Sequence, residues 1–135
     1  MKKVLLVLLS IGVLHAGDMV VHTKTGLMWQ DTQSVITQKV TFYEAQQVCK
    51  ELKIDTYSDW RLPTINELLS IVDYTKYDPA ILDGFSAIEP FYYWSSTPYT
   101  GDIDKVWGVK FKDGAIDGNG KNYDRYVRCV RVSKK

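Results

Sequence analysis

Thirteen residues, Tyr57-Ser58-Asp59-Trp60-Arg61-Leu62-Pro63-Thr64-Ile65-Asn66-Glu67-Leu68-Leu69, constrain the fold more than any other stretch. Pro63 fixes its own φ and pushes Leu62 into an extended conformation, so no helix runs from Arg61 through Pro63. Thr64 and Glu67 then have the spacing of a capping box ahead of the apolar Leu68, Leu69 and Val72. The stretch predicts a rigid loop that feeds a short helix, Ile65 to about Asp73, with Trp60 and Arg61 facing inward.

Other elements follow from similar local signals. Val20-Val21-His22-Thr23 and Leu27-Met28-Trp29, joined through Lys24-Thr25-Gly26, predict a hairpin with Gly26 at a positive φ. Residues 31–40 read as polar and irregular. Thr41 and Glu44 form a second capping box, and the helix after it carries Phe42, Ala45, Cys49 and Leu52 on one stripe, ending near Lys53. Residues 74–91 contain Pro79, Gly84 and Pro90 and read as a long ordered loop, with a helical turn at Pro79–Leu82. Strand signals dominate afterwards: Tyr92–Ser96, Lys105–Phe111 with Trp107, Val109 and Phe111 on one face, and Tyr126–Val132. Asp113-Gly114 and Asp117-Gly118-Asn119-Gly120 read as turns. Helices early and antiparallel strands late indicate an α+β class.

At 135 residues the chain has room for one domain. Residues 1–16 read as a secretory signal peptide: Lys2 and Lys3 precede an apolar run, Val4 to Leu14, that is short for a membrane span, and Ala16 suits a cleavage site. The competing reading is an uncleaved anchor. Cleavage would leave residues 17–135 as a single domain with no stable membrane span, exported to the periplasm or the cell exterior. Without Lys2 and Lys3, 15 of the 17 basic residues remain against 16 acidic ones, a charge of −1 that argues against nucleic acid as a partner. An exported chain with two cysteines permits one bridge, Cys49 to Cys129; the alternative is two free buried thiols.

Gly26-Leu27-Met28-Trp29-Gln30-Asp31, Ser58-Asp59-Trp60-Arg61-Leu62-Pro63-Thr64 with Glu67-Leu68, Tyr93-Trp94-Ser95-Ser96-Thr97 and Tyr126-Val127-Arg128-Cys129-Val130-Arg131 occur in this order. In order and spacing they resemble the Lcl C-terminal-domain family, a bacterial family of largely unknown function, over about residues 24–132. The structural motif residues are thus Trp29, Trp60, Arg61, Pro63, Glu67, Trp94 and Arg128. The family looks like a member of the C-type-lectin-like fold group, which also holds the formylglycine-generating enzymes. The resemblance implies two helices flanking a twisted antiparallel sheet, terminal strands close together, and a disulfide from the first helix to the last strand.

Catalysis finds little support in the residues. After residue 16 the one histidine is His22, in a strand, and no Ser or Cys has an evident base partner. A thiol-based oxidase like the formylglycine-generating enzymes needs a cysteine pair at its centre, whereas Cys49 and Cys129 lie far apart in sequence, with a structural role implied. Asp113, Asp117, Asn119 and Asp124 supply oxygen to one region, but Lys121 sits where a calcium loop would need a ligand, and Glu89-Pro90-Phe91 departs from the calcium-lectin pattern. Neither metal nor cofactor is therefore expected. Trp60, Trp94 and Trp107 read as core; Arg61 and Arg128 read as architectural cations, with Glu67 as one partner. Loop residues Tyr99, Asp102, Asp104, Asn119, Asn122 and Tyr123 are the candidate ligand-binding set. The expected function is a non-enzymatic binding module for a glycan or a surface protein; a structural or oligomerising domain is the alternative, and an oxidase is the least favoured.

Overall fold

The computed structural model describes residues 13–133. The first strands are β1 (Val13–Ala16), β2 (Met19–His22) and β3 (Leu27–Gln30). Then come helix α1 (Ser34–Thr37), strand β4 (Lys39–Val40) and helices α2 (Phe42–Glu51) and α3 (Ile65–Leu69). The C-terminal half supplies β5 (Tyr92–Pro98), β6 (Lys105–Lys110), β7 (Ala115–Gly120), β8 (Arg125–Tyr126) and β9 (Val130–Val132). One sheet runs β1-β2-β3-β9 and the other β4-β8-β5-β6-β7. All pairings are antiparallel except β5 with β8. The fold is α+β, and its N-terminal hairpin and last strand share one sheet.

The predicted leader lies outside the described residues as far as residue 12; its last four residues are β1. Among the described residues no helix is long and apolar enough to cross a membrane.

Both capping boxes form, with Thr41 and Thr64 accepting from the amides of Glu44 and Glu67 and each glutamate returning to the cap backbone. Gly26 takes φ 73° in the β2–β3 turn, as the hairpin requires. Alternation along β5 separates two cores. Tyr93 packs with Val109, Phe111, Leu68 and Ile71 on one side. Trp94 packs with Val106, Phe42, Ala45, Cys49 and Cys129 on the other. The two cysteines form a disulfide with Cα atoms 5.5 Å apart, joining α2 to the segment just before β9.

Several elements depart from the sequence expectation. Helix α3 stops at Leu69 rather than near Asp73, because Ser70 Oγ donates to the Glu67 carbonyl and the amides of Ile71 and Val72 bond three residues back. No helical turn forms at Pro79–Leu82; Ile81 bridges Val72, and the amides of Ala80 and Leu82 donate to Phe111 and Ile71. Residues 31–40 are ordered into α1 and β4 around the buried Val35. The last strand is broken: β8 belongs to one sheet and β9 to the other, so residues 127–129 carry the chain between them. Gln30 holds that crossing, its amide donating to the Cys129 carbonyl and its Oε1 accepting from the Cys129 amide.

Asp117–Gly120 is not a turn but the end of β7, paired with β6 from Lys105↔Gly120 to Gly108↔Asp117. Its glycines answer a packing need. A Cβ on Gly118 would lie 2.5 Å from the Tyr99 ring, and one on Gly120 2.8 Å from the Tyr123 ring. Trp107 also differs from expectation: it is half-buried against Tyr99 at 4.6 Å, whereas Trp29, Trp60 and Trp94 are buried.

Candidate functional site

The motif loop is a braced structure. Arg61 is exposed rather than facing inward; it makes a bidentate pair with Glu67, at 2.8 and 2.9 Å, and Glu67 also accepts from the Thr64 amide at 2.9 Å. The hydrogen bond from Arg61 holds the Glu67 carboxyl below its ordinary pKa, and the same bond raises Arg61. The Pro63 carbonyl accepts from Ser96 on β5. On the other side Arg61 and Val130 exchange backbone hydrogen bonds, and Arg131 pairs with Asp59 at 2.5 Å while lying over Tyr57. Trp60 is buried beneath, its indole donating to the Tyr57 carbonyl. The loop, β5 and the last strand are therefore locked together. Arg128 completes the lock from the crossing between sheets, fully buried and paired with Asp31 at 3.1 Å.

The predicted ligand-binding residues gather at one end of the second sheet, with one exception. The β5–β6 and β7–β8 connections are tied by the Lys121 amide donating to the Asp104 carbonyl. Asp102 caps its own turn by accepting from the Asp104 amide. Tyr99 lies over Gly118 and Trp107, with Lys105 Nζ 5.7 Å from its ring centre. Tyr123 lies over Gly120, is 64% exposed, and has the Arg125 guanidinium 5.5 Å from its ring centre. Asn122 is exposed beside it. Asn119 instead faces inward: it is buried, its amide donates to the Asp117 carbonyl, and its oxygen accepts from Arg125 Nε at 2.7 Å. Asn119 thereby orients Arg125 rather than offering its own amide to a ligand.

Toward the other end of β5 and β6, where Tyr92 pairs with Lys110, is a cleft of about 230 Å³ lined by Lys39, Phe91, Tyr92, Asp124, Arg125 and Tyr126, which the β7–β8 connection meets through Asp124 and Arg125. Phe91 stacks on Tyr126 at 6.5 Å, and Lys39 and Lys110 lie 5.8 Å from the ring centres of Tyr126 and Tyr92. It combines aromatic faces, cations and one carboxylate, and Arg125 links it to the Tyr123 ring. Sequence reasoning missed it because Lys39 sat in a stretch read as irregular. Only the neighbouring of β4, β8 and β5, with Lys39↔Tyr126 and Tyr93↔Tyr126, assembles the set. A second groove, about 440 Å³, runs between α2 and the motif loop, lined by Gln46, Lys50, Trp60, Arg61, Leu62, Thr64 and Ser96.

The oxygen-rich residues do not converge. Asp113 and Asp117 accept from the amides of Ala115 and Gly118, and the Asn119 oxygen is held by Arg125. Among the described residues no group of three or more His, Cys, Asp or Glu side chains is placed to hold a metal ion. Millimolar calcium should therefore leave the thermal midpoint unchanged within about 1 °C. A native-state ligand at a hundredfold excess over its Kd would add about 2.7 kcal/mol and a shift of several degrees. A calorimetric scan with and without EDTA decides the matter. His22 is buried in β2 and meets the Thr25 hydroxyl at 3.1 Å; burial, then Lys24, pushes its pKa down.

No curated protein matches the chain. A family model, that of the Lcl C-terminal domain, matches residues 18–131, a span that runs from just before β2 into β9 and takes in the motif loop and the Arg128 crossing. The chain belongs to the Lcl C-terminal domain family.

Proposed function

We propose that this protein is an exported, non-enzymatic binding module of C-type-lectin-like architecture that holds a glycan or a surface protein on the loops of its C-terminal half. The observation that carries the reading is the run of accessible aromatic rings and oriented cations from Tyr123 and Arg125 into the Phe91–Tyr126 cleft. Sugar rings stack on such faces, and Tyr with Arg is also the chemistry of protein hot spots. The glycines under Tyr99 and Tyr123 support it too, since they leave room for the rings to pack against the strand and reach the ligand preorganised. The disulfide from α2 to the last segment agrees with the lectin-like arrangement.

Binding is tested with a glycan array and a surface-protein capture assay, each with and without EDTA. Tyr123→Ala should weaken the retained ligand about tenfold, the size of a single hot-spot truncation, with the fold intact. EDTA should change nothing. Unchanged affinity in Tyr123→Ala would move the site elsewhere, and no retention of any glycan or protein would end the reading.

Export makes a separate expectation. Mass spectrometry of the periplasmic or culture fraction should find a chain beginning at or near Gly17. A full-length chain confined to the cytoplasm would contradict it.

A further inference from the structure

Strand β1 covers the outer edge of β2 along its whole length, from Val13↔His22 to Ala16↔Met19. That pairing demonstrates that the β2 edge accepts an antiparallel strand. Cleavage after Ala16 would remove β1 entirely while leaving β2 on β3, where Met19↔Gln30 to His22↔Leu27 are paired. The other edge of the sheet is already occupied, because Val130 of β9 exchanges backbone bonds with Arg61. Met19-Val20-Val21-His22 carries no formal charge, proline or bulge, the devices that normally protect an edge from pairing with another chain.

We infer that leader removal converts β2 into the pairing edge of a homodimer, with Val21 of one copy opposite Val21 of its partner. The inference goes beyond ligand binding and rests on the export reading alone. A closed two-fold contact needs a self-complementary strand. Opposed residues must also point to the same face of the shared sheet, so residue numbers across the pair sum to an even value. Centring on Val21 sets Val20 against His22 within the strands and brings Asp18, just before β2, level with Lys24 in the partner's β2–β3 turn. Centring on Val20 or His22 matches no opposite charges. Asp18 immediately precedes the uncharged strand, Lys24 stands in the turn two residues after it, and both are exposed. The dimer would carry the second sheet and its aromatic cleft twice, outside the contact. So short an interface makes a weak, concentration-dependent pair.

The test uses processed protein purified from the periplasm, with its N-terminus read by mass spectrometry and its mass followed by sedimentation over a wide concentration range. Dimer is expected at high concentration. Asp18→Lys or Lys24→Asp should each weaken it about tenfold, since both ends of the contact then carry like charges. The double variant Asp18→Lys/Lys24→Asp should restore it, and an equimolar mixture of the two single variants should form the mixed dimer. Val21→Cys should yield a disulfide-linked dimer, because directly opposed Cα atoms lie within bridging distance. Tyr123→Ala should leave association unchanged, which separates this contact from the ligand surface. A monomer at every concentration, association indifferent to the charge reversals, no cross-link through Val21→Cys, or a processed N-terminus that retains β1 would each overturn the inference.

Discussion

Reduction of the Cys49–Cys129 bridge should lower the unfolding free energy by about 4–5 kcal/mol. The bridge closes a separation of 80 residues, and the loop-closure entropy it removes from the unfolded chain has that size. The native state has little to gain from losing it, since both cysteines are fully buried between α2 and the sheet crossing. Cys49→Ala, Cys129→Ala and the double substitution should cost nearly the same, because each removes the same cross-link. Urea midpoints at matched m values measure it. Against an overall stability of roughly 5–15 kcal/mol such a loss is large, and the reduced form should populate the unfolded state on warming. Two alkylatable thiols in protein recovered from an oxidising compartment would defeat the prediction, as would a reduced form as stable as the oxidised one.

How far the sequence reaches depends on the range of the interaction that decides each element. Capping boxes at Thr41 and Thr64, the Gly26 turn and the apolar stripe Phe42-Ala45-Cys49 are decided within a few residues, and all four are found in the fold. The failures are decided at long range. Asp117-Gly118-Asn119-Gly120 has turn composition, yet it pairs with β6 as strand and Gly118 makes room for a ring that arrives from Tyr99. The Tyr126–Val132 run has the pattern of one strand, but Gln30, far away in sequence, takes both backbone groups of Cys129 and splits it. Alternation placed Trp107 with Val109 and Phe111, whereas the core ends before Trp107 and leaves it to Tyr99. The same limit applied to the site. Tyr99, Asp102, Asp104, Asn122 and Tyr123 were identifiable as loop residues and do gather. The Phe91–Tyr126 cleft depends on β4 lying beside β8, which no local signal announces.

Asp31→Ala should destabilise the protein by about 3–5 kcal/mol, the cost of leaving a buried cation without its partner. Arg128 is fully buried, and its guanidinium donates to the carbonyls of Gln30 and Ala87 as well as to Asp31. Burial pulls its pKa down, while Tyr93 and Asp31 hold it up; a guanidinium under such conditions stays charged. Asp31 also receives the amides of Ser86 and Ala87, at 2.9 and 3.0 Å. Its removal therefore orphans two further donors and weakens the hold on the 85–87 loop, which Arg128 still bonds through the Ala87 carbonyl. Phe85 and Tyr93 wall the guanidinium at 4.9 and 5.8 Å, so water has little room to replace the carboxylate. For a chain of this size the loss corresponds to roughly 10–20 °C in Tm. Arg128→Met should also be costly, since it takes from the buried Asp31 a guanidinium 3.1 Å away. The double variant Asp31→Leu/Arg128→Met should lose less than the sum of the single substitutions, because it buries no unpaired charge. A double-mutant cycle by urea unfolding reads the coupling. Strict additivity, or an Asp31→Ala variant as stable as the parent, would show that the pair does not hold the two sheets in register.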